Sequence, residues 1–240
     1  PERSDVVYIL DALNWSFPEA GISFNDVVSS YAGIRPLINV PGKSTADVPR
    51  EYKVFDSDSG ILCVAGGKLT TYRLMARTVV DRVVASLRAR ERNLNVMPCW
   101  THRIKLGNPP DEPFHPFMHI ELPEDVRRHL IADYGTWAEQ IAAILEVHPH
   151  LSKRMAEGLP YILAEAYFAT ARERARTLED VLARRTRITL LDPSRGRECL
   201  KEVCEIMAKE LNWDAAEAQR QIRSYETAVR MKYCGPEDLR

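Results

Sequence analysis

Hydrophobic residues recur at helical spacing through most of the second half of the chain. From residue 123 onward, apolar positions return every three or four residues, with Pro or Gly at several of the predicted segment ends. The pattern predicts six helices, at residues 123–134, 136–147, 160–176, 178–190, 197–211 and 214–233. We therefore expect residues 123–240 to form a C-terminal helical bundle domain.

The first half of the chain alternates between helical and strand patterns. An amphipathic stripe predicts a helix over residues 5–15, and a Val- and Ile-rich segment predicts a strand over residues 27–37. Residues 50–55 and 61–64 are predicted to pair as a hairpin, and residues 68–87 to form a helix with one apolar face in a core. The predicted fold class is α+β, mainly α, with a few strands followed by the helical bundle.

A proline-rich segment separates these two halves. Six prolines fall within residues 93–123, so residues 94–122 are predicted to be a linker between a domain at 1–93 and the helical domain at 123–240. His115 and His119 lie four residues apart there, but the neighbouring prolines disfavour the helix that would make them a ligand pair. No metal site is expected.

Composition narrows the classes of partner and compartment. The formal net charge is −1, which disfavours nucleic-acid binding by the chain as a whole. Five cysteines without C-x-x-C spacing predict neither a disulfide framework nor a zinc site and fit a cytoplasmic protein with reduced thiols. No apolar run approaches the roughly 18 residues that span a bilayer, so any membrane contact is expected to be peripheral.

The stretch at residues 61–73 carries the clearest chemical signal. A short apolar strand is followed by two glycines and then by the start of a helix, where free N–H groups and the positive end of the helix dipole favour an anion or an electron-rich carbonyl edge. Lys68, Thr70 and Thr71 add a cation and two hydroxyls. The alternative is a capped helix start with a solvated lysine.

Three cations are predicted at the ends of neighbouring elements. These are Arg35, Arg50 and Lys68. If they converge, they repel one another and need an anion, and a phosphate monoester would satisfy them better than a single carboxylate. For Arg35 the alternative is a surface arginine paired with a carboxylate.

Five motifs occur in an order and at intervals that resemble the FAD-dependent glycerol-3-phosphate dehydrogenases. They are SYAGIRPL at 30–37, PREY at 49–52, GGKLTTYR at 66–73, GLPY at 158–161 and EDVLARRTR at 179–187. The sequence lacks the G-x-G-x-x-G fingerprint with which members of that family bind the dinucleotide. The resemblance therefore implies the C-terminal part of a longer enzyme, and we expect the chain alone neither to retain FAD nor to be active.

The resemblance also implies an activity and a set of site residues. Flavin would oxidise sn-glycerol 3-phosphate to dihydroxyacetone phosphate and pass the electrons to quinone, with the enzyme in the cytoplasm and peripheral on the inner face of the membrane. Catalytic roles would fall to Arg35, Arg50 and Lys68, which would hold the phosphate and the reacting hydroxyl. Contacts with FAD would come from Gly66, Gly67, Lys68, Leu69, Thr70 and Thr71.

Two other functions remain open at this stage. The first is a glycerol-3-phosphate oxidase of the same class, which would use oxygen as the electron acceptor. The second is a helical module at 123–240 that binds a partner or forms a homodimer and is not itself an enzyme. All six histidines lie in or after the linker and outside the matched motifs, so a histidine base is expected elsewhere in the longer enzyme.

Overall fold

The computed structural model describes residues 1–34, 38, 42, 51–91, 93–104 and 114–238. Most of this part of the chain is helical. Its α-helices are α1 (Arg3–Ser16), α2 (Tyr72–Arg90), α3 (Glu124–Tyr134), α4 (Ala138–Val147), α5 (Leu163–Ala171), α6 (Ile188–Leu191), α7 (Leu200–Leu211) and α8 (Ala215–Lys232). A π-helical turn at Asp180–Arg185 precedes α6.

Two strands, β1 (Tyr52–Asp56) and β2 (Leu62–Gly66), form an antiparallel hairpin. Tyr52 lies opposite Gly66, and Asp56 lies opposite Leu62. The predicted hairpin is confirmed to within about two residues at each end. A mainly helical fold with one small sheet agrees with the predicted fold class.

Contacts within the chain define two units. The first, called the helical unit, joins residues 1–32 to residues 107–240. The second, called the hairpin unit, is residues 33–106. This grouping places α1 with the helical bundle, whereas the sequence prediction placed it with the hairpin in residues 1–93. The predicted linker at 94–122 and the two domain boundaries stay predictions.

The helical unit has a continuous apolar core. Val126 and Leu130 of α3, Ile141 of α4, Phe168 of α5 and Met207 of α7 are almost completely buried in it. Burial of one such side chain contributes about 1.5–3 kcal/mol, so a core of this size can support a cooperative fold. The predicted helical bundle is confirmed, and the helix bounds differ from the predicted ones mostly at the ends.

The N-terminal segment is fastened to the end of the bundle. Val6 of α1 and Cys234, just past α8, are the buried residues of a second small cluster. The amide of Ser30 donates to the Cys234 carbonyl at 2.8 Å, and the Ser29 hydroxyl donates to the Leu190 carbonyl at 2.8 Å. These bonds join residues that are 204 and 161 positions apart, and they account for the grouping of residues 1–32 with the bundle.

The described residues of the hairpin unit form no comparable core. None of its described residues is buried, and Leu74, Val80, Val83 and Leu87 of α2 are each exposed. The prediction that one face of this helix is core is wrong for the part of the chain that the structure describes. Within the described residues, the contacts that α2 makes with the two strands and with the preceding turn leave these side chains uncovered.

Two further sequence predictions are wrong in the described residues. Residues 27–34 form no strand, because Ser30 makes only an isolated bridge with Cys234; residues 35–37 of that predicted strand lie outside the described part. The helix predicted at 178–190 is interrupted, because Arg187 adopts a left-handed conformation with φ of 55° between the π-helical turn and α6.

Candidate functional site

The two glycines between β2 and the next helix make a turn whose backbone conformation favours glycine. Gly66 has φ of 74° and Gly67 has φ of 92°, which L side chains rarely adopt. A Cβ on Gly66 would lie 2.7 Å from the Glu51 carbonyl oxygen, and one on Gly67 would lie 2.6 Å from the Met75 sulfur. The close backbone approach predicted for this turn is therefore confirmed.

A 3₁₀ turn, Leu69–Thr71, follows directly and leads into α2. Thr71 donates to the Lys68 carbonyl through both its amide and its hydroxyl, each at 3.0 Å, and these bonds hold the turn closed. The amides of Leu69 and Thr70 occupy the first two positions of the turn and have no acceptor within it. They can therefore donate to a group outside the turn.

The side chains on this turn face solvent. Leu69 is 88% exposed, and Lys68 and Thr70 are exposed as well. Lys68 makes no ion pair with any residue in the described ranges, and it begins the turn at the N-terminal end of α2, where the helix dipole disfavours a cation. An unpaired lysine in this place is the feature that an anionic ligand would explain.

The other two predicted cations cannot be placed. Arg35 and Arg50 both lie outside the described residues. Their convergence with Lys68, and the roles of all the predicted site residues, stay predictions. Among the six residues predicted to contact the cofactor, Gly66 to Thr71, the structure describes every one and brings them together in a single turn.

Two side-chain contacts fasten α2 to β1. The hydroxyl of Tyr52 lies 2.9 Å from the Thr78 hydroxyl, near the glycine turn. Arg82 donates to the Val54 carbonyl at 3.1 Å and pairs with Asp56 at the other end of the strand. These contacts fix how the first turn of the helix is presented at the end of β2.

A groove of about 1310 Å³ runs along α2 beside this turn. Residues 95–102 form its other wall, and Thr70 lines the end nearest the glycines. Arg73, Arg77 and Arg88 bring positive charge to the groove, and Asp81 offsets part of it through an ion pair with Arg77 at 3.4 Å. The described residues that line this groove thus carry a net positive charge.

The helical unit contains a buried polar cluster that was not predicted from the sequence. Glu165 of α5 is 1% exposed, and its carboxylate accepts from Tyr134 at 3.0 Å and lies 2.8 Å from Nε2 of His129. Its other oxygen accepts from the Ile162 amide at 2.8 Å, which caps α5. Glu165 is the third residue of α5 but the sixth residue of the helix predicted at 160–176, so the predicted bounds did not reveal its capping role.

The arginine-rich motif at 179–187 forms ion pairs within the helical unit. Arg184 binds Asp180 at 2.7 Å and Glu179 at 2.9 Å, and Arg185 binds Glu173 at 3.4 Å. Thr177 and Asp180 cap the preceding turn through reciprocal bonds to each other's amides. These side chains are engaged in holding the fold, which disfavours a free basic patch for nucleic acid.

The described part of the chain was predicted to have no metal site and at most a peripheral membrane contact. Within those ranges, no group of three or more His, Cys, Asp or Glu side chains is arranged to hold a metal ion. None of the helices described there is both long enough and apolar enough to cross a membrane.

Comparison with known proteins bears on the identity of this fold. Residues 73–218 match the family described as the C-terminal domain of alpha-glycerophosphate oxidase. The match covers more than half of the chain. The chain belongs to this family. The matched region begins in the first turn of α2 and includes most of the helical bundle.

Similarity to individual proteins extends over nearly the whole chain. Glycerol-3-phosphate dehydrogenase 2 of Mycobacterium tuberculosis (strain ATCC 25618 / H37Rv) is 33% identical over 234 residues, which are 95% of this chain and 39% of that protein. Mitochondrial glycerol-3-phosphate dehydrogenase of Mus musculus is 34% identical over 245 residues, which are 97% of this chain and 32% of that protein. The chain thus spans about a third to two fifths of these relatives.

The fold is also similar to the solved structure of a glycerol-3-phosphate dehydrogenase. The glycerol-3-phosphate dehydrogenase of Bacillus halodurans, solved in complex with FAD, has a TM-score of 0.60 and 26% identity, and the similarity covers 97% of this chain and 45% of that one. The resemblance seen in the five motifs is confirmed, and the chain matches the C-terminal portion of these relatives.

Proposed function

We propose that this chain is the C-terminal part of an FAD-dependent glycerol-3-phosphate dehydrogenase. Support comes from relatives of that name along 95% of the chain and from a similar fold solved with FAD. Because the chain spans well under two thirds of those relatives, the reaction belongs to a longer protein. That protein would oxidise sn-glycerol 3-phosphate to dihydroxyacetone phosphate.

The observation that carries a role in flavin chemistry is the turn at Gly66–Thr71. A Cβ at either glycine would collide with neighbouring protein atoms, so the close packing of this turn against Glu51 and Met75 depends on glycine. The amides of Leu69 and Thr70, which have no acceptor within the turn, suit the electron-rich edge of an isoalloxazine. When bound, FAD would supply the acceptor for the hydride that leaves C2 of the substrate.

The residues of this chain would contribute binding and electrostatics. The amides of Leu69 and Thr70 would stabilise negative charge that develops on the flavin ring. Lys68, exposed and unpaired among the described residues, would hold the substrate phosphate or its reacting hydroxyl. Arg35 and Arg50 are proposed to complete the phosphate site, because a phosphate monoester needs more than one cation.

The electron acceptor and the location belong to the proposal as well. Quinone is the proposed acceptor, with the enzyme cytoplasmic and peripheral on the inner membrane face. The competing acceptor is oxygen, and a specific observation favours keeping it: the matching family is named after an oxidase, whereas the relatives are dehydrogenases. Similarity along the chain therefore does not choose between the two.

The complete protein encoded by the gene that contains this chain allows a direct test. Purified protein would be supplied with glycerol 3-phosphate and either a soluble quinone or oxygen, and dihydroxyacetone phosphate would be measured. We expect turnover with quinone and little peroxide. Peroxide equal to the product would favour the oxidase, and no turnover with either acceptor in flavin-loaded protein would contradict the proposal.

A further inference from the structure

We propose that Tyr52 is a positioning residue for the turn at Gly66–Thr71. This inference rests on the proposed function, since it assigns a residue that acts on the flavin-facing turn without touching substrate or flavin. The turn has few supports of its own: the hairpin unit has no buried residue in its described part. Its placement must therefore depend on a small number of specific contacts.

Tyr52 lies next to the glycine turn, on the adjacent strand β1. It is the first residue of β1 and lies opposite Gly66 in the ladder. A Cβ built on Gly67 would be 3.1 Å from Cβ of Tyr52 and 2.6 Å from the Met75 sulfur, so Gly67 is held between β1 and α2. Any change in the spacing between Tyr52 and Met75 would move the backbone of the turn.

The phenol of Tyr52 sets that spacing. Its hydroxyl lies 2.9 Å from the hydroxyl of Thr78, one turn beyond Met75 on α2. Thr78 donates its only hydroxyl proton to the Leu74 carbonyl at 3.1 Å, so Tyr52 is the donor in the bond between the two hydroxyls. Tyr52→Phe would remove this bond alone, because Thr78 keeps its bond to Leu74.

A matched control exists on the same pair of elements. Arg82 also joins α2 to β1, by donating to the Val54 carbonyl and pairing with Asp56. Its contacts lie at the end of the hairpin away from the glycines. Arg82→Gln would weaken the attachment of α2 to β1 without changing the contacts near Lys68. An effect that arises only from weaker attachment of the helix should therefore appear in both Arg82→Gln and Tyr52→Phe.

The consequences should appear in kinetics before they appear in stability. In the complete flavoenzyme, Tyr52→Phe should lower kcat/KM for glycerol 3-phosphate about three- to tenfold, the range expected for one neutral hydrogen bond. It should also shift the flavin reduction potential, because the amides of Leu69 and Thr70 would face the ring differently. Arg82→Gln should leave kcat/KM and the flavin reduction potential unchanged. It should lower Tm about as much as Tyr52→Phe does.

Amide exchange of the 240-residue chain supplies a measurement that does not need activity. Tyr52→Phe should speed exchange or shift the signals at Gly67 to Thr70 more than Arg82→Gln does. Equal effects of the two variants on these amides would overturn the assignment of Tyr52, whatever the enzyme catalyses. Failure of wild-type complete protein to oxidise glycerol 3-phosphate would instead contradict the proposed function, and the amide comparison would still decide the role of Tyr52.

Discussion

His129 of α3 and Glu165 of α5 form a buried pair, with 2.8 Å between Nε2 of the imidazole and a carboxylate oxygen. The side chain of His129 is 9% exposed and that of Glu165 is 1% exposed. Tyr134 donates to the same carboxylate oxygen, and the ring of Tyr161 packs edge-on against the imidazole at 4.7 Å. The pair thus connects α3 and α5 through buried polar groups.

The stability of the bundle should depend on pH through His129. Burial lowers the pKa of this imidazole, but the hydrogen bond and the charge of Glu165 outweigh burial and raise it above its ordinary value. Asp133 raises it further and Arg187 lowers it. A group with a raised pKa in the folded state stabilises fully below its unfolded pKa, near 6.5, and loses this contribution as the pH rises through the folded pKa.

Urea unfolding on both sides of that pH would measure the effect. Wild-type protein should lose unfolding free energy as the pH rises from about 6 upward, and His129→Gln should flatten the slope because an amide donor does not titrate. His119→Gln, at an exposed position, is the control and should keep the slope of the wild type. A wild-type slope retained in His129→Gln would contradict this role.

Gly67→Ala should destabilise the hairpin unit more than Gly60→Ala does. Both glycines have a positive φ, 92° and 80°, so each substitution carries a conformational cost of about 1–2 kcal/mol. Only at Gly67 would the new Cβ also meet the Met75 sulfur, since nothing lies within 4 Å at Gly60. Amide exchange across the β1–β2 ladder would measure both, and Met75→Ala should partly restore Gly67→Ala. Equal losses at the two glycines would show that the contact with Met75 is unimportant.

Lys68→Met should impair catalysis in the complete enzyme without reducing its stability. Loss of a charge-assisted hydrogen bond costs about 1.5–3 kcal/mol, or roughly ten- to a hundredfold in kcat/KM. Tm should stay constant or rise slightly, because a cation at a helix N-terminus is unfavourable. Lys53→Met removes another exposed lysine from the same hairpin and should change neither quantity. Unchanged kinetics in Lys68→Met would make Lys68 a solvated residue at the start of the turn.

The hairpin unit should exchange its amides faster than the bundle. Residues of β1, β2 and α2 have no buried neighbours among the described part of their unit, whereas α3, α5 and α7 share a continuous core. Hydrogen exchange of the 240-residue chain, followed by mass spectrometry, would rank the segments. Slower exchange in the hairpin than in α5 would reverse this order.

The chain alone should not retain FAD through purification. The turn at Gly66–Thr71 offers contacts to one edge of a flavin, but the sequence has no G-x-G-x-x-G segment to bind the pyrophosphate. Flavin absorbance in the purified 240-residue protein would test this, with the complete gene product as the positive control. Stoichiometric flavin in the shorter protein would contradict the prediction.

Much of this fold could be predicted because its elements obey local rules. The helices of the bundle carry continuous apolar stripes, and the hairpin has two apolar runs around a polar turn with a glycine. Residues 27–34 were wrongly predicted as a strand because their Val and Ile content favours one. Strand formation also needs a partner strand, and Ser30 forms only an isolated bridge with Cys234. Pairing over that distance has no local signal.

Part of the candidate site could also be predicted from local sequence, and part could not. The turn from Gly66 to Thr71 could be predicted, since two glycines between a strand and a helix determine its geometry locally. The buried pair of His129 and Glu165 could not, because neither residue belongs to a motif that includes the other and 36 positions separate them. The position of Arg187, whose left-handed backbone divides the predicted helix at 178–190, was equally hidden from a periodicity argument.

The bridge between Ser30 and Cys234 has a consequence for limited proteolysis. Because the first 32 residues belong to the same unit as residues 107–240, that unit is assembled from two pieces of sequence separated by the hairpin unit. A protease that cuts once within residues 33–106 would sever the backbone without severing the unit. The two fragments should stay together in native buffer and separate only in denaturant, and a short N-terminal peptide should be able to rejoin the helical fragment after dilution.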